Sequence, residues 1–140
     1  MNSKILMEHL LIALRDRERG CVLLDGPSGC GKTTFLRRLE SESQRKVYLF
    51  SYRDVVDEIL RTEAACERYL LEQSCVNCVI CIENVDYLRG KEATQKYLAE
   101  MVRVTAEKHL VILTGYCLRT RTPMLLEICQ PEALISATQE

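Results

Sequence analysis

Gly26-Pro27-Ser28-Gly29-Cys30-Gly31-Lys32-Thr33 fills every fixed position of the pattern GxxxxGK[ST]. An apolar run, Cys21-Val22-Leu23-Leu24, precedes it. A helical stripe of Phe35, Leu36 and Leu39 follows it, within a helix expected from Thr33 to about Ser41. Strand, glycine turn and helix in that order are the context in which the pattern has a mechanism. Glycines let the main chain fold close to a polyanion, so that its N–H groups converge on phosphate oxygens. The lysine then reaches the β- and γ-phosphates, and the threonine hydroxyl ligates Mg²⁺. The helix that starts here adds the positive end of its dipole to the same anion. Expected contacts run through Gly26, Pro27, Ser28, Gly29, Cys30, Gly31, Lys32, Thr33 and Thr34, with ATP and Mg²⁺ as the implied ligands. Chance matches to this pattern occur in under roughly one chain in a hundred of this length, judged from ordinary residue frequencies. Cys30 lies inside the loop, so its alkylation or oxidation should interfere with binding.

Outward from the loop, apolar runs alternate with helical stripes. Residues 3–18 read as an amphipathic helix on Ile5, Leu6, Leu10, Ala13 and Leu14, capped by Asn2 or Ser3 and stopped by Gly20. Val47-Tyr48-Leu49-Phe50 reads as the second strand. Val55, Val56, Ile59 and Leu60 form a helical stripe, and Tyr69, Leu70 and Leu71 close a second helical piece. Cys78-Val79-Ile80-Cys81-Ile82 is the third strand. Residues Lys91 to Lys108 form a helix with Tyr97, Leu98, Met101 and Val102 inward. Leu110-Val111-Ile112-Leu113 is the fourth strand and Leu125-Leu126-Glu127-Ile128 the expected fifth. Strands that are apolar throughout, separated by helices, predict a parallel sheet covered on both faces, a three-layer α/β/α P-loop fold. No linker or repeat divides the chain, so residues 1–140 are read as one nucleotide-binding domain with its core at about 20–132.

Composition excludes several classes. A formal charge of -1 gives no field for nucleic acid or an anionic membrane. The small basic groups (Arg15, Arg17, Arg19; Arg37, Arg38; Arg45, Lys46) are interleaved with acids and read as solvated faces. Glu8 and His9 interrupt the N-terminal apolar stretch, which is no signal peptide, and no apolar run has the roughly 20 residues of a membrane span. The eight cysteines are then reduced thiols of a cytoplasmic protein. Cys75, Cys78 and Cys81 form a CxxCxxC array similar to part of a metal site. A fourth ligand at a usual spacing is missing and Cys81 falls in an apolar strand, so the three read as small hydrophobes.

The strand ending at Ile82 delivers Glu83 to the carboxyl edge of the sheet, where ligands of open α/β folds bind. A carboxylate there is what the metal's water shell needs. The run Ile82-Glu83-Asn84-Val85-Asp86-Tyr87-Leu88-Arg89-Gly90-Lys91-Glu92-Ala93-Thr94-Gln95 resembles the Walker B region of the bacterial replication initiator DnaA family, most specifically in Gly-Lys-Glu-x-Thr-Gln. Val47-Tyr48-Leu49, Val111-Ile112-Leu113-Thr114 and Leu126-Glu127-Ile128-Cys129-Gln130-Pro131-Glu132 are similar to the second strand, sensor I strand and fifth strand of that family. The resemblance covers about residues 20–132. It implies an AAA+ core with a five-stranded sheet of order 5-1-4-3-2.

Several positions depart from the family. Asn84 replaces the second Walker B acid, which orients or activates the attacking water, and Glu83 replaces the aspartate expected for the metal. Asp86 lies past the strand end and is not favoured as a substitute base. Thr114-Gly115-Tyr116 stands where the family has Thr-Ser-Asp, leaving Thr114 as the group that touches the γ-phosphate or the water. About ten residues separate Tyr116 from the expected fifth strand, too few for the helix that carries the family's arginine finger. Arg119 and Arg121 then read as a solvated loop, and the helical lid and DNA-reading domain are missing. Losing a general base costs on the order of 10²–10⁴ in rate, and an arginine finger supplies 10³–10⁵. The assigned roles are therefore catalytic for Glu83, Asn84 and Thr114, and Mg²⁺ binding for Thr33 with Glu83 through water.

Three functions stay open at this point. The first is a DnaA-like ATP-binding switch in replication initiation or helicase loading, with weak or no hydrolysis. Its partners are ATP or ADP, an initiator, helicase or loader, or further copies of itself, with direct DNA contact undecided. The second is a slow ATPase or small phosphotransferase, since the loop also resembles that of nucleotide kinases, although no arginine-rich lid motif accompanies it. The third is an interaction module that has lost nucleotide.

Overall fold

The computed structural model describes residues 3–26, 32–45, 47–55, 79–131 and 133–136. The expected stripe beyond Val55, the helical piece at 69–71, Cys75, Cys78 and loop residues 27–31 lie outside the described residues.

The elements are α1 (Ser3–Arg15), β1 (Gly20–Asp25), α2 (Lys32–Ser43), β2 (Val47–Ser51), β3 (Val79–Glu83), a 3-10 turn (Val85–Leu88), α3 (Glu92–Ala106), β4 (Leu110–Gly115), α4 (Leu118–Arg121), α5 (Pro123–Cys129) and β5 (Ala133–Ser136). All strand pairs are parallel, and the sheet order is β2-β3-β4-β1-β5. A parallel sheet needs crossovers that place helices on its faces, and both faces of its central strands are covered here. Alternate residues of β1, β3 and β4 divide between two cores. Cys21, Leu23, Ile80, Ile82, Val111 and Leu113 pack with Leu98, Ala99 and Val102 of α3 and with Leu118, Leu125 and Cys129 of α4 and α5. Val22, Leu24, Val79, Cys81, Leu110 and Ile112 pack with Leu11 and Leu14 of α1 and Phe35, Leu36 and Leu39 of α2. Each such fully buried Leu or Ile contributes about 1.5–3 kcal/mol relative to exposure. The three-layer α/β/α arrangement follows from that period-2 division.

The expected fifth strand is corrected. Residues 125–128 lie in α5, and the edge strand is Ala133–Ser136, paired with β1. Thr122 precedes α5 and Pro123 takes its first turn, where the missing N–H costs nothing. The gap after Tyr116 therefore does hold helix, namely α4 and α5, contrary to the reading that no helix fits. Two smaller corrections concern helix faces. In α3, Tyr97 is exposed while Leu98, Met101 and Val102 are inward; in α1, Ala13 is exposed and Leu11 takes the buried place.

Arg45 is also not part of a solvated face. Its Nη1 donates to the Arg17 carbonyl at 2.7 Å, and its Nη2 donates to those of Leu14 at 3.1 Å and Arg15 at 3.3 Å. The last carbonyls of a helix have no partner within it, and a cation there also meets the negative end of the dipole. One guanidinium thus closes α1 and ties it to the chain just after α2. Arg38 makes the second tie, bonding Glu8 of α1 and Glu42 of its own helix. Hydrogen bonding to Glu8 first, then to Glu42, raises the pKa of this guanidinium further above its already high ordinary value. Arg45→Ala is expected to cost about 2 kcal/mol, because hydrogen bonds to charged groups contribute about 1.5–3 kcal/mol. The midpoint of urea unfolding measures it, and Arg45→Lys should recover only part of the loss.

Candidate functional site

The carboxyl ends of β1, β3 and β4 lie level. Asp25 is opposite Gly115, Leu24 is opposite Thr114, and Ile82 is opposite Leu113, which sets Glu83 level with Thr114. Gly26 is buried at the end of β1, and its N–H donates to the Gly115 carbonyl at 2.9 Å. After loop residues 27–31 the chain re-enters the fold as α2, whose first turn begins at Lys32 and Thr33, with Thr34 exposed. The sequence pattern is therefore carried from the carboxyl end of a central strand to the first turn of a 12-residue helix. Glu83 ends β3 half-buried, Asn84 is exposed beside it, and Thr114 is 2% exposed in β4. Glu83, Asn84 and Thr114 thus share one edge with both ends of the loop.

Asn84 has φ 63° and ψ 37°, the left-handed region. Its short amide side chain is among the few that occupy this region routinely. The amide here consequently has a backbone reason as well as a chemical consequence.

Three acids close or follow β1 and β3, and two of them are committed elsewhere. Asp25, which sequence reading passed over, accepts the N–H groups of Cys117 and Leu118 through its two carboxylate oxygens, each at 3.0 Å. Asp86 accepts from Arg121 Nη1 at 3.1 Å and is 8% exposed. That pair corrects one expectation: Arg121 is half-buried on α4 rather than in a solvated loop. Asp86, already disfavoured as a substitute base, is engaged with it. The Arg121 guanidinium also lies 5.5 Å from the centre of the Tyr116 ring. Arg119 is exposed, but on α4 as well. Glu83 remains the acid without a hydrogen bond or ion pair among the described residues.

Gln95 explains the Gly-Lys-Glu-x-Thr-Gln block. At 1% exposure, its Nε2 donates to the Leu88 carbonyl at 2.8 Å and faces that of Arg121 at 3.5 Å. Its Oε1 accepts from the Leu125 N–H at 3.3 Å. One side chain thereby joins the turn after the acidic strand to the end of α4 and the start of α5. Gly115 packs where no larger residue fits. A Cβ there would lie 2.6 Å from Leu118 Cδ2 and 2.8 Å from Asp86 Oδ1.

Among the described residues no group of three or more His, Cys, Asp or Glu side chains could hold a metal. Among the described cysteines, Cys21, Cys81 and Cys129 are buried, Cys81 within β3, and Cys117 is half-buried. No described helix is long and apolar enough to cross a membrane.

The chain is 28% identical over 107 residues to the ATP-dependent zinc metalloprotease FtsH 1 of Phytoplasma mali (strain AT), a match covering 66% of this chain and 18% of the protease. Solved structures that share its fold include two replication initiation proteins. A DNA replication initiation factor matches with TM-score 0.64 at 20% identity, over 94% of this chain and 44% of its own. Domain III of the Thermotoga maritima replication initiation protein DnaA matches with TM-score 0.66 at 18% identity, over 91% of this chain and 59% of its own. The chain thus spans less than two thirds of each of these proteins. A family model matches residues 22–136, from the strand before the loop to the last strand of the sheet. By that match the chain belongs to the ATPase family associated with various cellular activities (AAA).

Proposed function

We propose that this AAA domain binds ATP with Mg²⁺ at residues 26–34 and, with weak or no hydrolysis, acts as a nucleotide-dependent switch in replication initiation or helicase loading. The observation that carries the reading is the distribution of acids at the carboxyl edge. Asp25 and Asp86 are occupied by protein partners, which leaves Glu83 for the metal's water shell. Mg²⁺ keeps several waters and takes one or two carboxylates together with substrate phosphates, so a single acid fits it better than a cluster would. The bound ion would neutralise phosphate charge, with Thr33 as its hydroxyl ligand and Lys32 on the β- and γ-phosphates. Thr114 stands level with Glu83, which supports a role for it at the γ-phosphate or the attacking water. Asn84 cannot accept a proton, which supports weak or no turnover.

The place in replication rests on the resemblance of residues 82–95 to the DnaA family and on the fold shared with two initiation proteins. Partners by this reading are an initiator, a helicase, its loader or further copies of the chain. Titration with a fluorescent ATP analogue tests the binding. Saturable, Mg²⁺-dependent binding is expected, and Lys32→Ala should weaken it about tenfold or more, the worth of one charge-assisted contact. Absence of saturation, or equal affinity of the variant, would refute the reading.

A further inference from the structure

The four-residue helix α4 is gripped from two sides by acids that flank the proposed site. Asp25 is the residue immediately before Gly26, and it holds the N–H groups of Cys117 and Leu118 at 3.0 Å each. Asp86 is the third residue after Glu83, and it holds Arg121 at the other end of the helix. Sequence separations of 92 and 35 residues make both contacts tertiary. Cys117 sits at φ 55°, a conformation an L-residue holds only where its surroundings over-determine it. Gly115 leaves no room between Leu118 and Asp86. The Gly26 N–H, bonded to the Gly115 carbonyl, adds a third link between the start of the loop and the root of α4. Beyond α4, the Thr122 hydroxyl donates to the Leu118 carbonyl at 2.8 Å and Gln95 spans both helices, so α4 and α5 move as one.

We propose that Asp25 is a positioning residue that makes α4 report the occupancy of the phosphate loop. The inference rests on the nucleotide-binding reading above. A triphosphate bound beside Gly26 holds the Gly26 N–H on the Gly115 carbonyl, and with it the carboxylate of the preceding Asp25. The two amides it accepts are then held longer, and Tyr116 and Arg119, both exposed beside them, are presented in one arrangement. Without ligand the carboxylate releases them more often. Asp25 touches neither phosphate nor metal; it acts through α4.

Amide hydrogen exchange of the whole chain, read residue by residue by NMR with and without MgATP, tests this beside the fluorescence titration. In the wild type, saturating MgATP should slow exchange at Cys117 and Leu118 by about tenfold, while Val111, Ile112 and Leu113 in β4 stay fully protected. In Asp25→Ala, both amides should exchange fast and respond to MgATP less than twofold, with ATP affinity kept within about threefold. Asp25→Asn retains one acceptor oxygen and should protect one of the two amides. If the wild type binds ATP and these amides do not respond, or if Asp25→Ala keeps the full response, the proposal is wrong. Failure of ATP to saturate at all would instead remove the binding reading beneath it, and the proposal with it. Loss of β4 protection in Asp25→Ala would mark unfolding, and the Asp25→Asn amide pattern then decides.

Discussion

Replacing Asn84 with aspartate is expected to raise ATP turnover on the order of 10²-fold. Asn84 stands next to Glu83 at the carboxyl edge, exposed, where the DnaA-like pattern carries the acid that handles the attacking water. An amide can orient a water but cannot take its proton. A carboxylate at the same Cβ restores that step, and the gain lies at the low end of the general-base range because no other catalytic group is added. The variant should fold. The backbone here is left-handed, and aspartate shares with asparagine the short polar side chain that tolerates it. Asn84→Ala makes the converse point: it should cost about 1 kcal/mol of stability through the same strain. Phosphate release at saturating MgATP is the measurement. An unchanged rate, with ATP affinity intact, would mean that residue 84 does not face the water.

Gln95→Leu should remove about 3 kcal/mol of stability, a large part of the roughly 5–15 kcal/mol that holds a domain of this size. Leucine fills nearly the same space, so packing is not the cause. The buried Leu125 N–H loses its partner, which costs about 1–3 kcal/mol, and the Leu88 carbonyl loses one of its two donors, about 1 kcal/mol more, while keeping the Lys91 N–H at 2.9 Å. With a urea slope of about 1–3 kcal/mol/M, the midpoint should fall by 1 M or more. Gln95→Glu separates hydrogen bonding from shape. At neutral pH it turns a carboxylate oxygen toward the Leu88 carbonyl, and burial disfavours the charged form. Its folded-state pKa therefore rises above the unfolded value. Stability lost at pH 7 should return as pH falls through the folded pKa toward the unfolded one. A variant equally unstable at pH 5 and pH 7 would contradict the geometry assigned to the side chain.

The parts of this molecule written in its local sequence are those that local chemistry decides. β3 and β4 are buried on both faces, so they read as unbroken apolar runs, and the loop pattern between β1 and α2 carries its own spacing. Leu125-Leu126-Glu127-Ile128 misleads because four apolar-rich residues satisfy strand and helix templates alike. The better signal was Thr122-Pro123, a helix start, and with it the true edge strand moves to Ala133–Ser136. Arg45, Asp25 and Arg121 looked like ordinary surface charges because their partners lie 28 to 93 residues away. Gln95 was visible only as one letter of a family block; what it does there is a matter of three carbonyl and amide groups brought together by the fold. The placing of Glu83 and Asn84 at the end of the third strand was legible through strand length, whereas the availability of Glu83 emerges only once Asp25 and Asp86 are seen to be engaged.

A crystal structure of the chain with MgATP, or with a non-hydrolysable analogue, bears most directly on the central claim. The account places the β- and γ-phosphates against the amides of Gly29 to Thr33. It puts the metal about 2.1 Å from the Thr33 hydroxyl, with the Glu83 carboxylate on a metal-bound water. Nucleotide bound away from this loop, or a metal held by Asp25 or Asp86 while Glu83 turns aside, would contradict it.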